Sequence, residues 1–283
     1  MLPSTLISIA DLKARRDTWA AEGHRLAFVP TMGALHEGHL SLVRAAKSAA
    51  DRVIVSIFVN PTQFAPSEDL SKYPRTISAD LELLASEAVD AVFLPNDTTM
   101  YPEGFQTFVH GKGMALQLEG ISRPHHFEGV LTVVLKLFNL VQPDIVFFGK
   151  KDYQQWRLIS QMVTDLNLPV KVVGCETVRE SDGLAMSSRN RYLSGSERPI
   201  AAAIFQGLDA ARQLYRQGER STSKLLAACH SQITAHPELL LEYIEIRRRR
   251  DLNAFETDLT EEAVLLLAAK LGKTRLIDNI ELD

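Results

Sequence analysis

The apolar positions of the chain change period repeatedly, and those changes mark out its elements. Leu26, Ala27, Phe28 and Val29 are consecutive, as in a strand covered on both faces, whereas Leu40, Val43 and Ala46 recur at helical spacing. Between them, Pro30 is expected to end the strand's hydrogen bonding and residues 31–34 to turn the chain into a helix that opens at 36–39. Upstream, a polar-faced helix over 9–21 closes at Gly23. Downstream, the β-branched run 52–59 reads as a central parallel strand, followed by a polar connection over 67–76, a helix over 77–88 and a strand over 89–94. A Pro- and Gly-spotted segment over 95–120 leads to a helix over 130–141, a strand over 144–149, a helix through 167 and a strand over 169–175. Strand and helix alternating in this way predict an α/β fold with a doubly wound parallel sheet.

The pattern changes near residue 177. Ser194-Gly195-Ser196-Glu197 is a capping-box sequence ahead of a helix bearing Ile200, Ile204, Leu208 and Leu214. A helix over 221–235 and strands near 239–246, 263–268 and 274–280 complete the chain. The expected organisation is a larger domain over 1–176 and a smaller α+β domain over 177–283.

Composition narrows the function classes. A chain of 283 residues, 46% hydrophobic and 23% charged, can build full cores and is not disordered throughout. A net charge of −4, from 31 basic and 35 acidic residues, argues against a nucleic-acid partner. Cys175 and Cys229 are far apart and in no paired motif, which speaks against a disulfide framework or a structural zinc site. The first apolar run is too short for a signal peptide and no stretch approaches a membrane span, so a cytoplasmic location is expected.

Candidate chemistry concentrates where the 26–29 strand gives way to a helix. The first turn of that helix has unpaired N–H groups and a partial positive charge, which suit a phosphate. Gly33 and Gly38 let backbone approach a ligand closely. His36 and His39 can donate to phosphate oxygens and stabilise charge on a transferring phosphoryl group. No third ligand stands near enough in sequence to favour zinc. Taken alone, the tetrapeptide equally suits two surface histidines capping a helix.

Further polar groups follow the strands. Asn60-Pro61-Thr62-Gln63 lies at a strand's C-terminal end, where open α/β sheets bind ligands, and the Gln63 amide can both donate and accept. Arg123, His125 and His126 cluster ahead of the 130–141 helix, and Lys150, Lys151 and Asp152 stand at the mouth of the next. Met186-Ser187-Ser188-Arg189 puts two hydroxyls and a guanidinium on a glycine-containing loop able to clasp a triphosphate. Two glycine motifs mislead. Gly111-Lys112-Gly113 lacks the third glycine of a dinucleotide fingerprint, and Gly272-Lys273-Thr274 has Leu267 where a P-loop needs glycine. The basic run 247–250 reads as a solvated strand end.

His36-Glu37-Gly38-His39 after a first strand resembles the His-x-Gly-His signature of the nucleotidyl-transferring superfamily that includes class I aminoacyl-tRNA synthetases. The Met186-Ser187-Ser188-Arg189 string resembles that superfamily's second ATP loop. The longer PTMGALHEGH, followed in order by SIFVNPTQF, YPRT, LEGISRPHHFEGV, KLFNLVQPDIVFFGKKDYQQ, DGLAMSSRNRYL and RLIDNI, is similar to the pantothenate synthetase (pantoate–β-alanine ligase) family. The likeness extends over essentially the whole chain. Three positions depart from it: His125 stands where glycine is usual, Glu128 where a basic or small residue is common, and Lys150 where an acid or amide is usual.

The resemblance implies a Rossmann-like first domain and a cytoplasmic homodimer that joins (R)-pantoate to β-alanine. ATP would be consumed through a pantoyl adenylate, releasing pyrophosphate and then AMP, with no nucleic acid or membrane involved. It puts Met32, Gly33, Ala34, Leu35, His36, Glu37, Gly38 and His39 at ATP, with His39, His36 and Lys151 catalytic. Gly149, Lys150, Lys151 and Asp152 would contact the nucleotide, and the Val178 backbone would face adenine. Met186, Ser187, Ser188 and Arg189 would close over the phosphates as a lid carried by the smaller domain. Gln63 and Gln155 would hold pantoate, Gln63 also touching β-alanine, while Asn60, Arg123 and His126 occupy further matching positions. Mg2+ would ride on the ATP phosphates, so no metal ligand is assigned to the protein. Two other readings share the superfamily signature: a nucleotidyltransferase whose product keeps the nucleotide, and a non-catalytic RNA-binding relative, which the acidic balance disfavours.

Overall fold

The structure, a computed structural model, describes residues 2–65, 68 and 70–283; Ser67 and Asp69 of the polar connection lie outside them. The chain divides into two compact units, Met1–Lys150 with Gln154–Glu176, and Lys151–Tyr153 with Thr177–Asp283. Lys151–Tyr153, expected in the larger domain, thus group with the second unit.

The first unit holds six parallel strands, β1 (Ser4–Leu6), β2 (Leu26–Thr31), β3 (Arg52–Ile57), β4 (Ala91–Phe93), β5 (Ile145–Gly149) and β6 (Lys171–Cys175). Their order is β1-β4-β3-β2-β5-β6. Helices Ile9–Ala21, His126–Val141 and Tyr153–Asp165 bury Leu12, Leu137 and Ile159 in one core, and helices Glu37–Ala49 and Ile77–Ser86 bury Val43 and Leu84 in another. This is a doubly wound, Rossmann-like sheet. From β2 the chain winds outward through β3 and β4, then returns to place β5 and β6 on the other side. The crevice at the C-terminal ends of β2 and β5 is therefore the topological switch point, where such sheets bind ligands.

Three local outcomes differ from the sequence reading. β2 continues through Pro30 to Thr31, in register with β3. By strand alternation Pro30 aims its nitrogen the same way as Leu26, toward Asp144, but pairing with β5 stops at Phe28, so no ladder bond is lost. Ser4–Leu6 buries only Leu6 and carries no strand signal of its own; pairing with Ala91–Phe93 makes it β1. The helix expected from residue 130 starts at His126 and has Gly129 buried inside it.

The second unit contains an antiparallel sheet, β7 (Leu239–Arg248), β8 (Ala263–Leu271) and β9 (Thr274–Leu282), in that order. Helices Ala203–Arg216 and Thr222–Thr234 bury Leu208, Leu225 and Ile233 against it. The capping box forms: Ser194 Oγ accepts the Glu197 N–H at 3.2 Å, and Glu197 accepts the Ser194 N–H at 2.8 Å. Gly272 and Lys273 are the two-residue turn of the β8–β9 hairpin. The basic run is neutralised in place, with Arg247 beside Glu245, Arg248 beside Glu261 and Arg249 beside Glu281. Among the described residues no helix is long and apolar enough to cross a membrane.

Candidate active site

The turn after β2 is held from below. Gly33 has φ +79, and a Cβ there would stand 2.9 Å from Ile57 Cγ2 and 3.1 Å from Asp80 Oδ2, so the position requires glycine. Asp80 is buried, and its carboxylate accepts the N–H groups of Ala34 at 3.0 Å and Leu35 at 2.8 Å, together with the Thr76 hydroxyl at 3.2 Å. Such charge-assisted bonds offset the cost of burying the carboxylate. Ala34 itself adopts φ +51. The turn forms one wall of a cleft of about 440 Å3 whose lining includes Met32, Gly33, Phe58, Thr76, Asp80 and Asn96.

Helix Glu37–Ala49 begins beyond this turn with His36 as its N-cap. His36 Nδ1 accepts the Gly38 N–H at 3.2 Å, and His39 Nδ1 accepts the His36 N–H at 3.3 Å. The two rings lie 4.2 Å apart at a 48° tilt. With Nδ1 accepting, each neutral imidazole carries its proton on Nε2. The capping network thus sets both rings as Nε2–H donors at a helix N-terminus, beside the switch point.

Gln63 ends the 3-10 turn Pro61–Gln63 that follows β3. Its Oε1 accepts from Asn60 Nδ2 at 3.1 Å and its Nε2 donates to Met32 Sδ at 3.0 Å, which fixes the amide's orientation and ties it to the β2 turn. Asn60 is oriented in turn: Nδ2 also donates to the Gly129 carbonyl at 3.1 Å, and Oδ1 accepts from Tyr101 at 2.7 Å. Helix His126–Val141 can come this close only because Gly129 lacks a side chain; a Cβ would stand 2.4 Å from the Thr62 carbonyl oxygen.

The Gln63 backbone is gripped as well. His126 Nδ1 donates to its carbonyl at 2.9 Å and Arg123 at 3.3 Å. Arg123 also donates to His126 Nε2 at 3.0 Å and makes paired bonds to Glu68 at 2.7 and 2.8 Å. Burial, aided by the Arg123 charge, pushes the His126 imidazole down to about 4, so the ring is neutral with Nδ1 as its donor. Burial acts to raise the Glu68 carboxyl, but bonds and charge from Arg123 hold it below its ordinary value.

β5 ends at Gly149. Lys150 pairs with Glu176 and lies 5.6 Å from the Trp156 ring. Of two consecutive glutamines, Gln154 is engaged by the 114–119 segment: it donates to the Met114 and Gln117 carbonyls at 2.6 and 2.7 Å and accepts from the Glu119 N–H at 3.1 Å. Gln155 is half-buried one position on.

The remaining predicted residues belong to the second unit. Lys151 Nζ lies 3.9 Å from Asp152 Oδ1. The Val178 carbonyl accepts the Met186 N–H at 3.0 Å, which folds 178–186 into a loop, and Ser187 Oγ accepts the Arg189 N–H at 3.3 Å to cap the 3-10 turn Ser188–Tyr192. Asn190 braces the loop by donating to Glu180 at 2.8 Å and to the Ala185 carbonyl at 3.0 Å. Among the described residues, no group of three or more His, Cys, Asp or Glu side chains stands in metal-binding geometry.

Sequence reasoning missed Asp80, Glu68 and Tyr101. Asp80 looks like an ordinary acid in a helix's first turn, and nothing local says that it reaches back to residues 34 and 35. The departure at His125 acquires a meaning here. Its φ is +82, in the left-handed region that favours glycine.

The pantoate–β-alanine ligase family model matches residues 4–281. The pantothenate synthetase of Roseiflexus castenholzii is 50% identical over 98% of this chain and 99% of its own, and that of Syntrophotalea carbinolica 49% identical over 96% and 95%. A crystal structure of the pantothenate synthetase from Thermus thermophilus superposes with a TM-score of 0.94 at 43% identity, covering 99% of both chains. The Francisella tularensis ligase, crystallised with β,γ-ATP and β-alanine, superposes with a TM-score of 0.81 at 37% identity over 99% of this chain and 98% of its own. With the matches running nearly end to end, this chain belongs to the pantoate–β-alanine ligase family.

Proposed function

We propose that this ligase activates (R)-pantoate with ATP and passes the pantoyl group to β-alanine. A pantoate carboxylate oxygen attacks the α-phosphorus and expels pyrophosphate. The neutral amine of β-alanine then attacks the acyl carbonyl of the pantoyl adenylate and expels AMP, forming the amide. The observation that carries this reading is the pair of Nε2–H donors at the helix start, with His36 and His39 each locked by a backbone bond to Nδ1. Donors preset toward phosphate oxygens stabilise charge that grows in the transition state without reorganising.

In this reading Met32, Gly33, Ala34, Leu35, Glu37 and Gly38 shape the ATP site around the histidines. Gly149, Lys150, Lys151 and Asp152 contact the nucleotide, Lys151 at phosphate and Asp152 at ribose, and Val178 offers backbone to adenine. Met186, Ser187, Ser188 and Arg189 supply further phosphate donors. Gln63 and Gln155 orient pantoate through hydroxyl and carboxylate groups, which the bonded amide of Gln63 suits. Magnesium would arrive on ATP and neutralise phosphate charge; the groups assigned to the phosphates are donors and cations, so no protein ligand is assigned to it. We also infer a cytoplasmic homodimer from the family resemblance.

The test is a product assay with ATP, magnesium and pantoate, with and without β-alanine. AMP and an amide formed one for one only when β-alanine is present, with pantoate-dependent exchange of pyrophosphate into ATP in its absence, is the expected result. A product that retains the nucleotide, or no exchange with pantoate, overturns the assignment.

A further inference from the structure

The last strand of the chain carries two adjacent polar residues that the reaction does not explain. Asp278 and Asn279 on β9 are both buried, at 2% and 6% exposure. Asp278 accepts two bonds from Arg179, at 2.6 and 3.0 Å, and the same guanidinium donates to the Gly183 carbonyl at 3.0 Å and the Asn279 carbonyl at 3.1 Å. It also stacks 4.3 Å from the Phe205 ring. Arg179 is therefore a cross-brace. It joins both ends of the 179–183 loop segment to the edge of the antiparallel sheet, next to Val178 and ahead of Met186. The turn Ser188–Tyr192 packs on β9 as well.

Asn279 reaches the other way. Its Nδ2 donates to the backbone carbonyl of Lys151 at 2.8 Å. Two residues along the strand, Glu281 accepts from the Tyr153 hydroxyl at 3.1 Å and pairs with Arg249 at 2.9 Å. These bonds account for the grouping of Lys151–Tyr153 with the second unit, although the residues on either side belong to the first.

We propose that Asp278 and Asn279 are positioning residues for the nucleotide: through Arg179 and through the Lys151 carbonyl they hold two segments far apart in sequence, 151–152 and 178–189, in one rigid frame. Lys151 then keeps a fixed distance from the 186–189 loop, and the two segments engage or release ATP together. This rests on the assignment of both segments to the nucleotide above. The physical requirement is plain, since a lysine on a flexible stem acts as a point charge and its placement depends on where its backbone is held.

The experiment measures pantoate-dependent pyrophosphate–ATP exchange in Asn279→Ala, Asn279→Asp, Lys151→Ala and the Asn279→Ala/Lys151→Ala double variant. Thermal midpoints and circular dichroism without ATP confirm that each is folded. The expected result is a rise of about tenfold in KM for ATP in both Asn279 variants, the scale of one lost buried hydrogen bond, with KM for β-alanine in the full reaction unchanged. Lys151→Ala lowers exchange on the order of 100-fold or more, and adding Asn279→Ala to it costs less than about twofold further, because the residue being positioned is already gone. An unchanged KM for ATP in the folded Asn279 variants, or a full additional loss in the double variant, overturns the positioning role while leaving Lys151 at the nucleotide. Wild-type exchange in Lys151→Ala removes the nucleotide assignment itself, and the proposal with it.

Discussion

His126 donates from Nδ1 to the backbone carbonyl of Gln63 across 2.9 Å, and its other ring nitrogen accepts from Arg123 at 3.0 Å. Both nitrogens are committed, so the ring can serve this arrangement only while neutral. A proton on Nε2 would turn an acceptor into a donor facing a guanidinium.

That commitment makes stability depend on pH with a definite sign. The unfolded imidazole protonates near 6.5 and the folded one only near about 4, so the unfolded state binds more protons between these values. The contribution is fully present above pH 6.5 and is lost as pH falls toward 4, amounting to roughly 3 kcal/mol. His126→Asn keeps a donor in the Nδ1 position and does not titrate there. Urea unfolding across pH 4 to 7 is expected to show a flatter slope for this variant, and an unchanged slope would sink the assignment.

Asp80→Ala removes the acceptor for the Ala34 and Leu35 amides and for Thr76. Two buried N–H groups left without a partner cost about 3 kcal/mol of stability. The turn that leads to His36 loosens, so adenylate formation is expected to fall at least tenfold, with KM for ATP raised. Exchange kinetics at the wild-type level in a folded Asp80→Ala protein would show that the turn holds itself.

Gly129→Ala drives a methyl to within 2.4 Å of the Thr62 carbonyl oxygen and 2.7 Å of the Gln63 nitrogen. Helix or turn must shift, at a cost of about 2–3 kcal/mol. Because Gln63 is the residue displaced, KM for pantoate is expected to rise more than KM for ATP. Steady-state kinetics separate the two, and equal changes would contradict the link.

His125→Gly works in the opposite direction. It relieves a side chain held at φ +82, offset by the greater freedom of glycine in the unfolded chain, and is expected to stabilise by up to about 1 kcal/mol. Catalysis should be unchanged. A lower thermal midpoint would mean that the His125 side chain contributes more than its backbone costs.

Most of the sheet was legible because each central strand is apolar on both faces and each covering helix carries a stripe at helical spacing. Leu26–Thr31 and Arg52–Ile57 announce themselves in this way. The candidate site was legible where the pattern is local, as in His36-Glu37-Gly38-His39, whose four residues hold both the helix cap and the two histidines proposed for the phosphates. Ser4–Leu6 was not legible, because three residues with one buried side chain become a strand only when a neighbour supplies hydrogen-bond partners.

By itself, then, the sequence determined the alternation of strands and helices, the change of pattern near residue 177 and the family, since all of these rest on short-range periodicity and on ordered motifs. Only the tertiary structure decided which distant polar residues brace the segments of the candidate site. Asp80 reaches residues 34 and 35, Arg123 reaches Glu68, and Asn279 reaches Lys151. A hydrogen bond acts over about 3 Å of space and is indifferent to separation along the chain, so no local pattern records it.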